Sequence, residues 1–474
     1  MNLFQKVMKL TFYIGIVSIF YVGLAQNAQA QVRSLTLEEA VKIAVSDNAE
    51  TIIARQEVTK AETAVKEAYG YALPSVDLTA SFAHFIEKPK MPFPDFEAML
   101  SGATYGVLEY EGLVPEGTYT PGPLETKLQS FALANNLEAK AQITQVLFNA
   151  TVLEGIGATK IYEDLSKEQL NSKITEVIVN VKKAFYGVLL TKEMHTIMLT
   201  SLENAQQNLS NLQSMLKQGL VSEYDAMQAE VRVENIRPSV VQIENAHKSA
   251  LDGLKMLLGI DPATELEVFG NLELDSYSIP NAKETINEAV VGNRGIRTLE
   301  LKIQMDKAFI QVDKTEYYPS LAAFGNYTYA GQSDDFDMLT YSSAMVGVSL
   351  QMNLFNGMRT QRKVEQKTIV MNQTREQIIM AKNFVTIQVK SKIMDLERVI
   401  AQLEAQDRNV KMAERTYEIA SIRFKEGTAI QLEIENAENA LRQAKTNKMQ
   451  SIFDYLTAQS ELEHLIGTID PKYL

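Results

Sequence analysis

Residues able to do chemistry are sparse in this chain. There are four histidines, no cysteine and no tryptophan in 474 residues. His84, His195, His247 and His464 are dispersed, and each reads better as a surface or packing residue than as a ligand. The missing cysteine excludes disulfide scaffolds, thiolate zinc sites, iron–sulfur clusters and thiol nucleophiles. It also excludes the cysteine that bacterial lipid anchoring uses. Gly155-Ile156-Gly157-Ala158-Thr159-Lys160 starts like a phosphate loop, but it lacks the Gly-Lys-Ser/Thr ending and falls inside a helical stretch. Asp334-Asp335-Phe336-Asp337 offers carboxylates to calcium without the EF-hand spacing, so it reads as a solvated turn. Sequons at Asn149, Asn208, Asn326 and Asn372 are too short a pattern to carry meaning. No Ser, His or Cys constellation points to an enzyme, a cofactor or a metal.

With no site chemistry to position, the elements themselves must carry the function. The chain is 46% hydrophobic and 22% charged, with a formal net charge of −13. That balance argues against nucleic acid, because phosphate binding needs clustered Lys and Arg. Lys6 and Lys9 precede an apolar run from Leu10 to Ala25, and Ala28-Gln29-Ala30 follows. This order reads as a signal peptide removed after Ala30. Its removal takes away two lysines and no acid, moving the charge from −13 to −15. Beyond it no stretch of 18 apolar residues occurs, so a membrane crossing would have to be a β-barrel.

Length alone suggests two or three domains, but an internal repeat overrides it. Asn48 answers Asn293, and Leu73-Pro74-Ser75 answers Tyr318-Pro319-Ser320, each at an offset of 245. Leu147-Phe148-Asn149 answers Leu354-Phe355-Asn356 at 207. Lys217-Gln218-Gly219 answers Lys425-Glu426-Gly427 at 208, as Gly259 answers Gly467. The division is a first repeat over 31–262, a linker over 263–281 and a second repeat over 282–474. Each is an elongated unit expected to lack a conventional core. The first carries about 38 extra residues, rich in proline, read as a long extracellular loop over 86–138.

Period-2 patterns place strands at about 74–85, 139–148, 319–330 and 344–355. In the last, Val346, Val348, Leu350, Met352 and Leu354 face one way and small or polar residues the other. A half-buried strand of a soluble sheet shows the same alternation. About ten residues per strand, with aromatic residues near both ends, suits a membrane-spanning strand. Asn149 to Gly219 and Gly357 to Gly427 read as helices of about 70 residues, roughly 105 Å each. Shorter helices return to Leu258 and Ile466, stopped at Gly259 and Gly467. Such helices must pack as coiled coils. A heptad row from Ile393 to Phe424 turns polar at Asp407, Glu414 and Ser421, which fits either a water-lined seam or drift against the heptad frame. Pro238 should kink the first returning helix.

Four strands cannot close a barrel, and an open edge is not viable in lipid, so the barrel must be shared between chains. The ordered set of duplicated strand–strand–hairpin units, Pro-started strands, Leu-Phe-Asn strand ends and Gly turns resembles the TolC-like outer membrane efflux family. The resemblance implies an α+β membrane protein with four transmembrane β-strands and long coiled-coil helices per chain. A homotrimer would form a 12-stranded β-barrel continuous with a 12-helix α-barrel. It implies partners too: a periplasmic adaptor, an inner-membrane RND-type or ABC-type transporter, and outer membrane lipid. Asp225, Glu433, Asn436 and Phe424 match aperture positions of that family. Gly219 with Leu220, and Gly427 with Thr428, match the tips where adaptors dock. Ala429 stands where the family can carry a gating Arg, so an Arg-centred lock is not expected.

The resulting expectation is a passive export conduit in the outer membrane, extending into the periplasm, with acid rings favouring cations. Drug or metal efflux and type I protein secretion both fit. A periplasmic coiled-coil adaptor explains the helices but not the two-faced strands.

Overall fold

The structure, a computed structural model, describes residues 33–120, 125–274, 276–335 and 337–468. The signal peptide expected over 1–30 lies outside the described residues. Contacts divide the described residues into two units, one built from those of 33–62, 161–305 and 370–468, the other from those of 63–160 and 306–369.

The duplication governs the order of elements. The first copy runs β1 (Arg33–Leu35), α1 (Leu37–Asp47), α2 (Ala49–Gly70), β2 (Ser75–His84), an insertion, β5 (Asn135–Asn149), α4 (Ala150–Lys217) and α5 (Glu223–Leu258). The insertion holds β3 (Met91–Pro94), α3 (Phe96–Tyr110) and β4 (Thr126–Gln129). After β6 (Leu266–Val268), the second copy runs α6 (Ala282–Gly292), α7 (Arg294–Lys314), β7 (Ser320–Ser333), β8 (Leu339–Gln351), α8 (Arg359–Lys425) and α9 (Gln431–Ile466). Strands β2 and β7 start at Ser75 and Ser320, one residue after the landmark prolines.

The sheet unit holds four antiparallel strands in the order β2-β5-β7-β8. Register puts Val76, Leu78 and Phe82 opposite Ile143, Ala141 and Leu137, and carries that face on to Tyr327, Tyr329, Val346 and Val348. The other face presents Asp77, Thr79, Gln142, Asn326 and Ser343. One face is thus apolar with tyrosines and the other polar, as lipid on one side and water on the other demand. Among the described residues β2 and β8 pair with no further strand. Strand β8 starts at Leu339 and ends at Gln351, so the pattern expected over 344–355 begins five residues earlier and stops before Met352. Strand β5 likewise starts at Asn135 rather than 139. The segment read as a plain loop over 86–138 contains a two-stranded β3–β4 ladder and a 15-residue helix. Its five glycines and six prolines hid that helix from a composition-based reading.

The helical unit does bury a core, contrary to the expectation of none. Val177, Val181 and Val188 of α4, Leu254 and Leu258 of α5, and Val389 and Leu396 of α8 are almost fully buried in one cluster. Two latches hold the duplicated parts alike. The Asn48 side-chain amide donates to the Leu257 carbonyl at 2.8 Å, and Asn293 donates to Leu465 at 3.0 Å. Their Oδ1 atoms meanwhile accept from the first-turn amides of α2 and α7. Gly259 and Gly467, both at positive φ, end the returning helices as expected. A Cβ on Gly467 would lie 2.1 Å from the Gly292 carbonyl oxygen.

Along the heptad row, Ile393, Leu396, Ile400 and Leu403 are buried. The polar positions reach the returning helix: Asp407 pairs with Lys448 at 2.7 Å and Glu414 with Lys445 at 3.1 Å. The seam therefore turns ionic between α8 and α9. Helix α5 runs through Pro238 without a break. No helix among the described residues is long and apolar enough to cross a membrane.

Candidate functional site

Both hairpin tips share one backbone skeleton. At the first, Gly219 adopts φ +73°, its N–H donates to Leu216 O at 2.9 Å, and Leu220 N–H donates to Met215 O at 3.0 Å. At the second, Gly427 adopts φ +72°, its N–H donates to Phe424 O at 2.9 Å, and Thr428 N–H donates to Arg423 O at 2.8 Å. Paired bonds of this kind satisfy the last carbonyls of a helix and need a left-handed residue, which is why glycine stands there.

The helices that follow start differently. Ser222 caps α5: its hydroxyl accepts from Asp225 N–H at 3.2 Å and donates to Asp225 Oδ2 at 2.6 Å. The Ser222 N–H donates to the same carboxylate at 3.3 Å. Asp225 is thus committed to the N-terminus of its own helix. In the second tip Ile430 occupies the cap position, and its hydrocarbon side chain makes no capping hydrogen bond. Glu433, at the position equivalent to Asp225, instead takes an ion pair from Arg423 at 3.1 Å. Arg423 also donates to Thr428 O at 3.0 Å, tying both strands of the turn together. The structure so joins two of the residues singled out from sequence, Thr428 and Glu433, through an arginine that was not. Gly219, Leu220 and Asn436 are exposed, and Leu220 is 65% so.

A second cluster clasps the two hairpins. Arg232 of α5 pairs with Glu438 of α9 and lies 3.7 Å from Glu435. The Ser201 hydroxyl of α4 donates to the other Glu438 oxygen. These side chains are 14%, 8% and 17% exposed for Arg232, Glu438 and Glu435. The charge of Glu438 is tolerated at this depth because an arginine and a hydroxyl both serve it. Glu438 and burial together push the Tyr417 hydroxyl above its ordinary value, burial more strongly. On one side of the clasp lies a groove of about 590 Å³ lined by Tyr224, Met227, Val231 and Arg442. On the other, a cavity of about 500 Å³ is lined by Phe424, Tyr417, Ser421 and Asn208. Phe424 thus faces the space between the hairpins, apart from Glu433.

Arg232 and Glu438 escaped sequence reading because each sits among ordinary helix-surface residues; only the relative rotation of α5 and α9 brings them together. Arg423 had a readable signal. It lies ten residues before Glu433, with the Gly427 turn between, so the turn must bring the two side chains near each other.

The family model for outer membrane efflux proteins matches residues 129–260 and 285–468. The chain belongs to that family. The relatives are distant in sequence. The outer membrane protein TolC of Salmonella enteritidis is 21% identical over 362 residues, covering 72% of this chain and 71% of TolC. The alkaline protease secretion protein AprF of Pseudomonas aeruginosa is 22% identical, covering 65% and 64% respectively. The CmeC outer membrane channel of Campylobacter jejuni superimposes with a TM-score of 0.68 at 15% identity, over 91% of this chain and 85% of that one. The fold is that of these channels, with long helices and a small antiparallel sheet. The chain is an outer membrane channel of the efflux type. Members of this family are channels rather than enzymes.

Proposed function

We propose that three copies of this chain close their sheets edge to edge, β2 against the next β8, into one 12-stranded barrel. The helices of the trimer enclose a conduit fed by a periplasmic adaptor and an inner-membrane RND-type or ABC-type transporter. The observation that carries this reading is the sheet itself: apolar on one face, polar on the other, and unpaired at both edges. An edge of that kind is stable in lipid only when another chain completes it.

In this reading Gly219 with Leu220, and Gly427 with Thr428, are the tips that meet the adaptor. Asp225, Glu433, Asn436 and Phe424 surround the inner aperture. Energy comes from the transporter, since the sequence carries no phosphate-loop motif. Opening requires the hairpins to separate, against the clasp of Arg232 with Glu435 and Glu438 and the turn pair of Arg423 with Glu433. Carboxylates around a narrow passage favour cations. Reversal potentials in planar bilayers test this: cation selectivity is expected, weakened by Glu433→Gln, and an anion-selective wild-type channel would overturn it. Separation of the purified channel into stable monomers after gentle detergent extraction would overturn the shared barrel.

A further inference from the structure

Helix α3 turns its apolar side outward. Tyr105 stacks on Tyr119 with ring centroids 5.1 Å apart, and the Tyr119 hydroxyl donates to Ala98 O at 3.4 Å. The Glu109 carboxylate accepts from the N–H groups of Gly117 and Tyr119 at 3.1 and 3.3 Å. These contacts fix the Ala98, Tyr105 and Glu109 side of the helix against the segment that follows it. Counting from Phe96 by 3, 4, 7, 11 and 14 gives the opposite side: Phe96, Met99, Leu100, Ala103, Val107 and Tyr110. All six are exposed, Val107 by 61% and Tyr110 by 88%. A helix on a folded unit ordinarily buries such a stripe. A contiguous exposed one marks an interaction site.

Charge decides what can cover it. Residues 91–126 contain six acids and no Lys or Arg. Glu97 flanks the stripe and Glu111 follows its end, both exposed. Three lysines border the segment: Lys88 pairs with Asp334, Lys127 pairs with Asp95, and Lys90 is exposed, one cation beside six acids. An apolar stripe in an acidic frame repels both another copy of itself and an anionic lipid surface. It complements an amphipathic segment whose polar face is basic.

The register places this helix at one end of the sheet. The insertion joins His84 to Asn135, and Asn135 pairs with Ser333 just before the β7–β8 turn. Helices α4 and α8 follow the opposite strand ends, so in the channel reading the insertion lies outside the cell.

We propose that the outward face of α3 is a docking surface for a basic amphipathic segment of an exterior partner. The exterior placement rests on the channel reading; the binding face and its chemistry do not. The full-length channel in discs of zwitterionic phosphatidylcholine would be titrated with a fluorescent 15-residue amphipathic helix of Leu and Lys, with empty discs as the blank. Saturable binding is expected. It should weaken as salt rises, and drop at least tenfold in Leu100→Asp/Val107→Asp. These residues are exposed, so the fold should tolerate the change, and Glu97→Gln/Glu111→Gln should weaken binding with the stripe intact. Equal binding of a Leu–Glu helix, or unchanged binding by Leu100→Asp/Val107→Asp, would overturn the proposal. So would copy-to-copy disulfide cross-linking of the otherwise cysteine-free Leu100→Cys channel, which would show a second copy on the stripe. Stripe-dependent association with vesicles of anionic lipid would show a membrane there and overturn it equally.

Discussion

The two hairpin tips are copies that hold the same acid in opposite ways. Their two closing backbone bonds match at an offset of 208. Yet Asp225 is locked onto its own helix start by Ser222, while Glu433 reaches across the turn to Arg423. Arg423 and Glu433 are both about half exposed, and an ion pair of that kind contributes about 0–1 kcal/mol. The first tip is therefore built to persist and the second to let go. The clasp between hairpins is equally one-sided. Position 208 after Arg232 is Ala440, and position 208 before Glu438 is the exposed Glu230. Duplication supplied the scaffold, and divergence at a few positions made one tip fixed and the other releasable.

The largest expected effect comes from breaking the clasp. Arg232→Ala leaves Glu438 buried without its counter-charge, at a cost of about 3–5 kcal/mol. Single-channel recording should show conductance rising toward an open level. Pairing it with Glu438→Leu should recover much of the loss in thermal stability. An unchanged conductance and melting temperature in Arg232→Ala would remove the clasp from the gate. Exchanging the caps tests the tips directly. Ser222→Ala should cost about 1 kcal/mol and speed amide exchange in the first turn of α5. Ile430→Ser should stabilise α9 by about 0.5–1 kcal/mol, because Glu433 then completes a capping box. If Ile430→Ser leaves exchange in the second tip unaltered, the missing cap is not what distinguishes it. A smaller change follows from Arg423→Gln. Stability should move by less than about 1 kcal/mol, while the freed Glu433 should raise cation selectivity in bilayers.

The smallest effect is a pH dependence at the end of α9. Burial opposes ionisation of Glu461, but hydrogen bonds from Lys183 and Lys392 outweigh it and hold the carboxyl below its usual range. That contribution is present above the ordinary carboxylate value and is lost as pH falls through the lowered one. Burial of His464 pushes its imidazole down, against the pull of Glu176 and Glu461. The unfolded chain then takes up a proton first, and stability falls as pH drops below the ordinary histidine value of 6.5. The equivalent positions in α5 are Gly253 and Met256. Amide exchange at the end of α9 should accelerate on acidification.

Much of the fold was legible because its landmarks are backbone necessities. Gly219, Gly259, Gly427 and Gly467 are glycines because the chain turns left-handed there, and each ends a helix. Ser75 and Ser320 start strands because a proline precedes each. The two-faced strands followed from alternation alone. What escaped was set by how elements rotate against one another. The partners of Asp407 and Glu414 depend on the phase of α9, and the clasp depends on that of α5. Residues 96–110 were unreadable for another reason. Their apolar period is intact, but Gly102, Gly106 and the surrounding prolines speak for a loop, and the buried side one expects of a helix is here the outer one.

The latches at Asn48 and Asn293 make each hairpin a lever with a fixed fulcrum. The backbone at Gly259 and Gly467 fits so closely against the neighbouring turn that a Cβ has no room at either, so motion is confined to the far end of the arm. Each returning helix is 36 residues long, an arm of about 54 Å. A swing of only about 10° would carry its tip about 9 Å, given that rise per residue. Displacements too small to disturb the packed end are thereby geared up to the width of a solute at the other.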